Sequence, residues 1–138
     1  LDTVIFRYFN AYGERQPIRG QYAPVIGIFL RQLAAGESLT IVGDGEQRRD
    51  FTHVSDVVQA NILAATKDID EEFYGTLFNV GNGQNYSINE IADKISDNQV
   101  NIPPRIGEAR TTLANNNKLK SVLGWEPKVN LMEWIESQ

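Results

Sequence analysis

The chain has 138 residues, a net charge of −5, 41% hydrophobic residues and 22% charged residues, an ordinary composition for one globular domain or a piece of one. It contains no cysteine and one histidine, so a disulfide framework, a thiolate zinc site and a histidine-rich metal cluster are excluded, and the composition fits a reducing cytoplasm. The acidic balance argues against a nucleic-acid partner, and no apolar run approaches the roughly 18 residues that a membrane span needs.

An apolar run opens the chain. Residues Thr3–Phe9 are almost all β-branched or aromatic, which predicts a strand covered on both faces, as in a parallel α/β sheet. The chain begins directly in this run without an initiator methionine, so we expect a further part of the protein upstream. The run ends in the polar turn Asn10–Gly13, and ligands bind beyond the carboxyl ends of parallel strands. Asn10 is therefore a candidate ligand contact, the alternative being a turn residue that bonds its own backbone.

The cleanest helical pattern lies between residues 22 and 34. Apolar residues recur there at i, i+3, i+4 and i+7, with Pro24 in the first turn and Gly36 after the end, which predicts an amphipathic helix. Its apolar stripe is expected to face the core. The free backbone N–H groups of its first turn would suit a ligand rich in hydrogen-bond acceptors.

A strand, a glycine turn, a return strand and a second helix follow. Leu39–Val42 is a short apolar run, Gly43–Gly45 is a turn that can adopt positive φ, and Arg49–Phe51 belongs to the return strand. Ser55 and Asp56 are the candidate N-caps of the second helix.

The return strand carries the side chain of greatest chemical interest, Arg49. An arginine held on a strand is a fixed, planar and permanently charged group, which suits a phosphate. The alternative is an ion pair between Arg49 and a nearby carboxylate such as Asp50 or Asp56. Arg105, in an extended and irregular segment at residues 101–110, is a second candidate. With the asparagine of the first turn, the two arginines would form a diphosphate clamp if the fold brings them together.

The second half of the chain alternates further strands and helices. Thr76–Val80 has the pattern of a strand, and Ser87 and Glu90 form a capping box at the start of a third helix. Gly124 ends a short helix, and Asn130 begins the last one.

Several catalytic patterns are absent from the sequence. It has no Gly-x-Gly-x-x-Gly, no P-loop, no Tyr-x-x-x-Lys and no cysteine nucleophile. His53 could act as a base, but no candidate nucleophile lies near it in the sequence, so we interpret it as a packing or hydrogen-bonding residue. The sequence therefore predicts a ligand-binding part with no catalytic residue of its own and no metal site.

Five motifs occur in one order along the chain. They are R-Y-F-N-A-Y-G (7–13), L-T-I-V-G-D-G with R-D-F-T-H-V-S-D-V (39–57), F-N-V-G-N-G (78–83), R-I-G-E (105–108) and L-G-W-E-P (123–127). These motifs resemble those of the extended short-chain dehydrogenase/reductases, the NAD-dependent sugar-nucleotide epimerases and dehydratases. Residues 22–29 are most similar to the UDP-hexose 4-epimerases, including those that accept N-acetylhexosamines.

The resemblance implies an α/β fold of Rossmann type. Residues 1–138 would be the C-terminal, substrate-binding part of such an enzyme, with one or two strands of the parent parallel sheet and a small mixed α/β subdomain. The N-terminal half, which holds most of the NAD site and the catalytic tyrosine and lysine, would lie upstream.

The resemblance also implies roles for individual residues. The diphosphate or sugar would be bound by Asn10 and clamped by Arg49 and Arg105. The other implied positions are Val25 and Phe29 beside the nucleotide, Val42 on the uracil, Glu108 by the ribose or within its own loop, Phe9 at the sugar site and Tyr8 near the nicotinamide.

The activity implied by the resemblance is that of an NAD-dependent UDP-hexose 4-epimerase, with a UDP-sugar as substrate and association into homodimers or larger assemblies. This chain alone would be inactive. The alternatives are a sugar-nucleotide 4,6-dehydratase, a UDP-glucuronate decarboxylase, or a non-catalytic nucleotide-binding protein on the same scaffold.

Three positions depart from the family pattern. Glu14 and Gly27 stand where the family usually has proline, and Asn115 stands where it usually has aspartate. None of these departures removes an arginine.

Overall fold

The computed structural model describes residues 1–20 and 22–138. Within them the chain forms the mixed arrangement of strands and helices that was predicted, and the α/β class is confirmed. The strands are β1 (Ile5–Tyr8), β2 (Ala11–Tyr12), β3 (Leu39–Val42), β4 (Arg48–Asp50), β5 (Thr52–His53), β6 (Leu77–Val80), β7 (Asn85–Ser87) and β8 (Gln99–Ile102). The α-helices are α1 (Val25–Ala34), α2 (Val54–Thr66), α3 (Ile88–Ile95), α4 (Asn117–Leu123) and α5 (Leu131–Glu136). In the described part of the chain, no helix is both long enough and apolar enough to span a bilayer.

The strands pair across long stretches of sequence. Strands β1 and β6, β2 and β5, and β3 and β8 run parallel, while β4 and β7 run antiparallel. Parallel neighbours need long connections, and α1 and α2 lie within these connections.

The glycine turn after β3 does not close a hairpin. Gly43 and Gly45 have φ of 66° and 74°, as the turn prediction required. However, β3 pairs with β8 and β4 pairs with β7, so the expectation of a strand returning alongside its predecessor is wrong. The turn instead carries the chain from one strand pair to another. The segment 101–110 was predicted to be extended and irregular, and its first two residues belong to strand β8.

Two hydrophobic cores lie under these strands. The first joins α1, β3, α3 and α5, and its fully buried members include Phe29 and Ile91. The second joins β6, α2 and α4, and it contains Phe78 and Trp125. The apolar stripe of α1 is buried at Phe29 but not at Leu33, which is 47% exposed.

A polar residue completes the inner face of α1. Gln32 is buried, its Nε2 donates to Thr40 Oγ1 over 2.9 Å, and its Oε1 accepts from the backbone N–H of Thr40 over 3.2 Å. Both ends of the amide are therefore satisfied, which ties α1 to β3 without an unpaired polar atom.

The start of α2 corrects one prediction and confirms another. The N-cap is His53, whose Nδ1 accepts from the backbone N–H of Ser55, so the expected caps Ser55 and Asp56 are wrong. The interpretation of His53 as a hydrogen-bonding residue is confirmed. Asp56 is buried and accepts from the backbone N–H groups of Lys128 and Val129, which attaches the C-terminal segment to α2.

The remaining helix ends follow the sequence. Ser87 and Glu90 form the predicted capping box of α3, and Asn130 caps α5 through two backbone N–H groups. Gly124 ends α4 in the left-handed conformation with φ of 65°, and Trp125 packs into the same core as Leu119.

Asp50 is a buried carboxylate at the end of β4. Its oxygens accept from the backbone N–H groups of Asn82, Gly83 and Ala114 over 2.8, 2.9 and 3.0 Å, and the side chain is fully buried. Burial raises the pKa of Asp50 above its usual value, although the three N–H donors act in the opposite direction.

We expect Asp50→Asn to lower the free energy of unfolding by about 1–3 kcal/mol, because the amide leaves at least one buried N–H donor facing another donor. Urea denaturation at pH 7 measures this difference. Asp68→Asn, in an exposed loop, is the control and should change stability by less than about 0.5 kcal/mol. Equal stability of the two variants would contradict the role of Asp50.

Candidate functional site

A cavity of about 460 Å³ lies beside the first turn of α1, next to β3, β4 and the segment 103–110. Seven of the nine residues predicted for the site line it, although they come from five separate stretches of sequence. These residues are Asn10, Val25, Phe29, Val42, Arg49, Arg105 and Glu108.

The cavity has an apolar wall on one side, and the first turn of α1 borders it at one end. Val25, Phe29 and Val42 form the apolar wall. The N-cap of α1 is Pro24, which has no side-chain cap bond, and the first intrahelical bond runs from the N–H of Ile28. Among the described residues, the N–H groups of the first turn of α1 have no acceptor, as the sequence predicted.

Arg49 is held in place by two contacts. Its side chain is 13% exposed, its Nη2 lies 3.0 Å from Glu108 Oε1, and its Nη1 donates to the backbone carbonyl of Arg48 over 2.9 Å. The ion pair predicted as the alternative therefore exists, but Asp50 and Asp56, the partners named for it, are wrong because both carboxylates accept backbone bonds elsewhere. The guanidinium is oriented before any ligand arrives.

Arg105 differs from Arg49 in being exposed. Among the described residues it forms no ion pair. It also lines a second cavity of about 640 Å³ that adjoins the first and shares Val42 and Glu108 with it. Arg105 is thus free to turn toward an anion, while Arg49 is already fixed.

The segment that carries Arg105 is anchored at its C-terminal end. Arg110 Nη1 lies 2.8 Å from Asp44 Oδ1, and the hydrogen bond from Arg110 lowers the pKa of Asp44. The backbone carbonyl of Arg110 accepts from the N–H of Arg48 over 2.8 Å. These contacts join the segment to the turn after β3 and to β4.

Asn10 reaches across the chain rather than bonding its own backbone, so the alternative given for it is wrong. Its Nδ2 donates to the backbone carbonyl of Asp50 over 2.7 Å, and its φ of 31° lies in the left-handed region that asparagine tolerates. This conformation places Asn10 at the rim of the cavity beside β4.

Tyr8 and Phe9 do not line either cavity. The hydroxyl of Tyr8 donates to Asn61 Oδ1 over 3.1 Å, and its ring is half exposed. The backbone N–H of Phe9 donates to the carbonyl of Val80. Their roles near a nicotinamide and a sugar stay predictions.

Gln47 is a site residue that the sequence reasoning missed. It is buried, lines both cavities and donates from Nε2 to the backbone carbonyl of Val42 over 3.0 Å. Its signal was its position two residues before Arg49, because alternate residues of extended chain share a face.

This arrangement suits a flat apolar group that carries acceptors and is linked to an anion. The apolar wall and the first turn of α1 lie at one side, and two arginines and one glutamate also line the cavity. Within the described ranges, no group of three or more His, Cys, Asp or Glu side chains could hold a metal ion. A nucleotide diphosphate has the required combination of base and charge.

Comparison with known proteins identifies the family to which the chain belongs. Residues 1–81, more than half of it, match the NAD dependent epimerase/dehydratase family. The chain belongs to this family. It is 38% identical to the UDP-glucose 4-epimerase of Mycolicibacterium smegmatis over 141 residues, which are 98% of this chain and 44% of that protein. The family resemblance predicted from the motifs is therefore confirmed.

Two further members of the epimerase/dehydratase family are similar to the chain. One is the UDP-N-acetyl-alpha-D-glucosaminuronate decarboxylase of Bacillus cytotoxicus, 44% identical over 95 residues, which are 69% of this chain and 28% of that protein. The other is the structure of the UDP-glucose 4-epimerase of Thermotoga maritima with UDP-glucose, with a TM-score of 0.88 and 38% identity over 99% of this chain and 44% of that one. The chain thus spans less than half the length of these relatives, and its fold matches their C-terminal part.

The pairing of Arg49 with Glu108 leads to a prediction for simple anions. Glu108→Gln should raise the affinity for inorganic diphosphate about 1.4- to fivefold, because the uncharged side chain no longer competes with the anion for Arg49. A partly exposed ion pair of this kind contributes about 0.2–1 kcal/mol. Isothermal titration at low ionic strength measures the change. Glu72→Gln, an equal change of charge on a distant exposed residue, is the control. An unchanged affinity in Glu108→Gln would show that Arg49 does not meet the anion.

Proposed function

We propose that this chain binds the nucleotide-diphosphate end of a UDP-sugar as part of an NAD-dependent UDP-hexose 4-epimerase. The observation that carries the proposal is the convergence of seven separately predicted residues on one cavity. A chance set of residues from five stretches would not be expected to line a single site.

The two arginines would have different tasks in this proposal. Arg49, already oriented by Glu108, would fix the position of the diphosphate, and exposed Arg105 would close on it from the neighbouring segment. Val42 and Phe29 would pack on the base and ribose. Binding energy gained here, away from the reacting carbon, would position the sugar ring for chemistry.

The rest of the proposed enzyme would bind most of the NAD, and the bound cofactor would supply the hydride-transfer chemistry. This chain has no dinucleotide fingerprint, so its own contribution to the cofactor would be small, with Tyr8 the one candidate. Side chains on β1 and along one face of α2 are suited to cover by another part of the enzyme. Ile5 is 47% exposed, and Val58 and Ile62 are 50% and 49% exposed. Homodimer formation and a cytoplasmic location stay predictions.

A decarboxylase is the second candidate. The observation in its favour is the 44% identity to a UDP-uronic acid decarboxylase over 69% of the chain. Both reactions start from a UDP-sugar, so the proposed cavity serves either one. The difference would be made by residues close to the sugar.

Titration of the protein with UDP tests the binding proposal. We expect Arg49→Ala and Arg105→Ala each to weaken UDP binding about tenfold to hundredfold, because a hydrogen bond to a charged group contributes about 1.5–3 kcal/mol. Arg31→Ala is the matched control, since Arg31 pairs with Glu37 outside the cavity. The site assignment fails if all three variants bind UDP as tightly as the parent chain.

Product analysis with the longest form of the protein that its gene encodes separates the two reactions. Incubation with NAD and UDP-glucose should give the 4-epimer, and a UDP-uronic acid should give no carbon dioxide. Release of carbon dioxide without formation of an epimer would show that the protein is a decarboxylase and that the epimerase assignment is wrong.

A further inference from the structure

Glu14 bridges the C-terminal helix and the start of α2. Its Oε1 accepts from Trp134 Nε1 over 2.9 Å, and its Oε2 lies 3.4 Å from His53 Nε2. Trp134 and His53 are both nearly buried, whereas the carboxylate itself is 63% exposed. The two carboxylate oxygens of Glu14 therefore contact two nearly buried side chains, Trp134 and His53.

The partners of Glu14 are rigid because they belong to a packed aromatic group. The ring of Tyr12 lies 5.1 Å from that of Trp134 and 5.2 Å from that of His53, both in edge-on contact. Trp134 also belongs to the first hydrophobic core. The hydrogen bond from Trp134 is the main reason why the pKa of Glu14 lies below its usual value. Glu14 is thus anchored to the core rather than moving freely in solvent.

The loop that starts with Glu14 reaches the nucleotide cavity at Pro17. It is pressed closely against the first turn of α1. A Cβ on Gly27 would lie 2.6 Å from the backbone carbonyl oxygen of Pro17 and 3.3 Å from Cγ of Gln16, so only glycine leaves room for the loop in this position. The same first turn of α1 borders the cavity, and its N–H groups have no acceptor among the described residues.

We infer that Glu14 is a positioning residue for nucleotide binding: through Trp134 it holds the loop 14–20 against α1, and the loop in turn fixes one wall of the cavity. This inference rests on the proposed function of the cavity. Gly27 is the second residue involved, because the absence of a side chain there lets the loop approach α1 closely.

The experiment compares UDP affinities, by isothermal titration, in single and double variants of the protein. Glu14→Ala should weaken binding about three- to tenfold, and Glu14→Gln should restore most of the affinity because its amide oxygen still accepts from Trp134. Trp134→Phe removes the Nε1–H donor together with part of the buried indole ring, and should weaken binding at least as much as Glu14→Ala. The double variant Glu14→Ala/Trp134→Phe should bind UDP no more weakly than the weaker-binding single variant, because both substitutions remove the same Glu14–Trp134 hydrogen bond.

An independent variant tests the other side of the loop. Gly27→Ala requires the carbonyl of Pro17 to move and should weaken UDP binding while Glu14 and Trp134 are intact. Glu136→Gln is the matched control, because Glu136 lies on the same helix as Trp134 but pairs with Lys94 of α3 instead of contacting the loop. Melting temperatures of all variants are measured in parallel.

The outcomes separate this inference from the proposed function. If the parent protein does not bind UDP, the proposed function fails and the positioning role fails with it. If the parent binds and Glu14→Ala binds equally well, only the positioning role is overturned. A purely structural role predicts lower melting temperatures with unchanged affinity, and additive losses in the double variant would also overturn the inference.

Discussion

The carboxylate of Asp50 is the point on which the site depends. Three backbone N–H groups from the residues after β6 and before α4 converge on it, and Asn10 donates to its backbone carbonyl. A buried carboxylate is costly unless such donors surround it, so the segments that supply them cannot move independently. Arg49 is the adjacent residue on the same strand and points into the cavity instead. The fold therefore positions the arginine that lines the cavity by fixing its neighbour.

The contacts of Arg49 determine how an anion would bind in the proposed site. Its guanidinium already has a partner in Glu108, so an anion must exchange with or add to an existing pair rather than meet a bare charge. A preoriented donor loses little side-chain freedom on binding. Arg105, exposed on its segment, would lose more and would respond more to salt. In the proposed complex, Arg49 would therefore orient the anion and Arg105 would contribute mainly electrostatic attraction.

Local elements were predictable where local chemistry decides them. The capping box at Ser87, the glycine end at Gly124 and the glycine turn at Gly43 are set by a few neighbouring residues and were found. Strand partners were not, because β3 pairs with a strand about 60 residues away and nothing in its own sequence specifies that partner. The cap of α2 was missed because His53 replaces the usual short polar caps. For the cavity, the residue types were predictable from the motifs, while the partner of Arg49 depended on packing between residues 59 positions apart.

The motif around Arg49 combines two kinds of information. Arg49 faces the cavity, but Asp50, His53 and Asp56 serve the fold, as a buried acceptor, a helix cap and the attachment of the C-terminal segment. Similarity to relatives in this motif therefore indicates a common fold at least as much as a common ligand. The relatives agree with this, since an epimerase and a decarboxylase are both similar to the chain. In the proposed enzyme the nucleotide end supplies binding energy common to every UDP-sugar, and the choice of reaction belongs to the groups around the sugar ring.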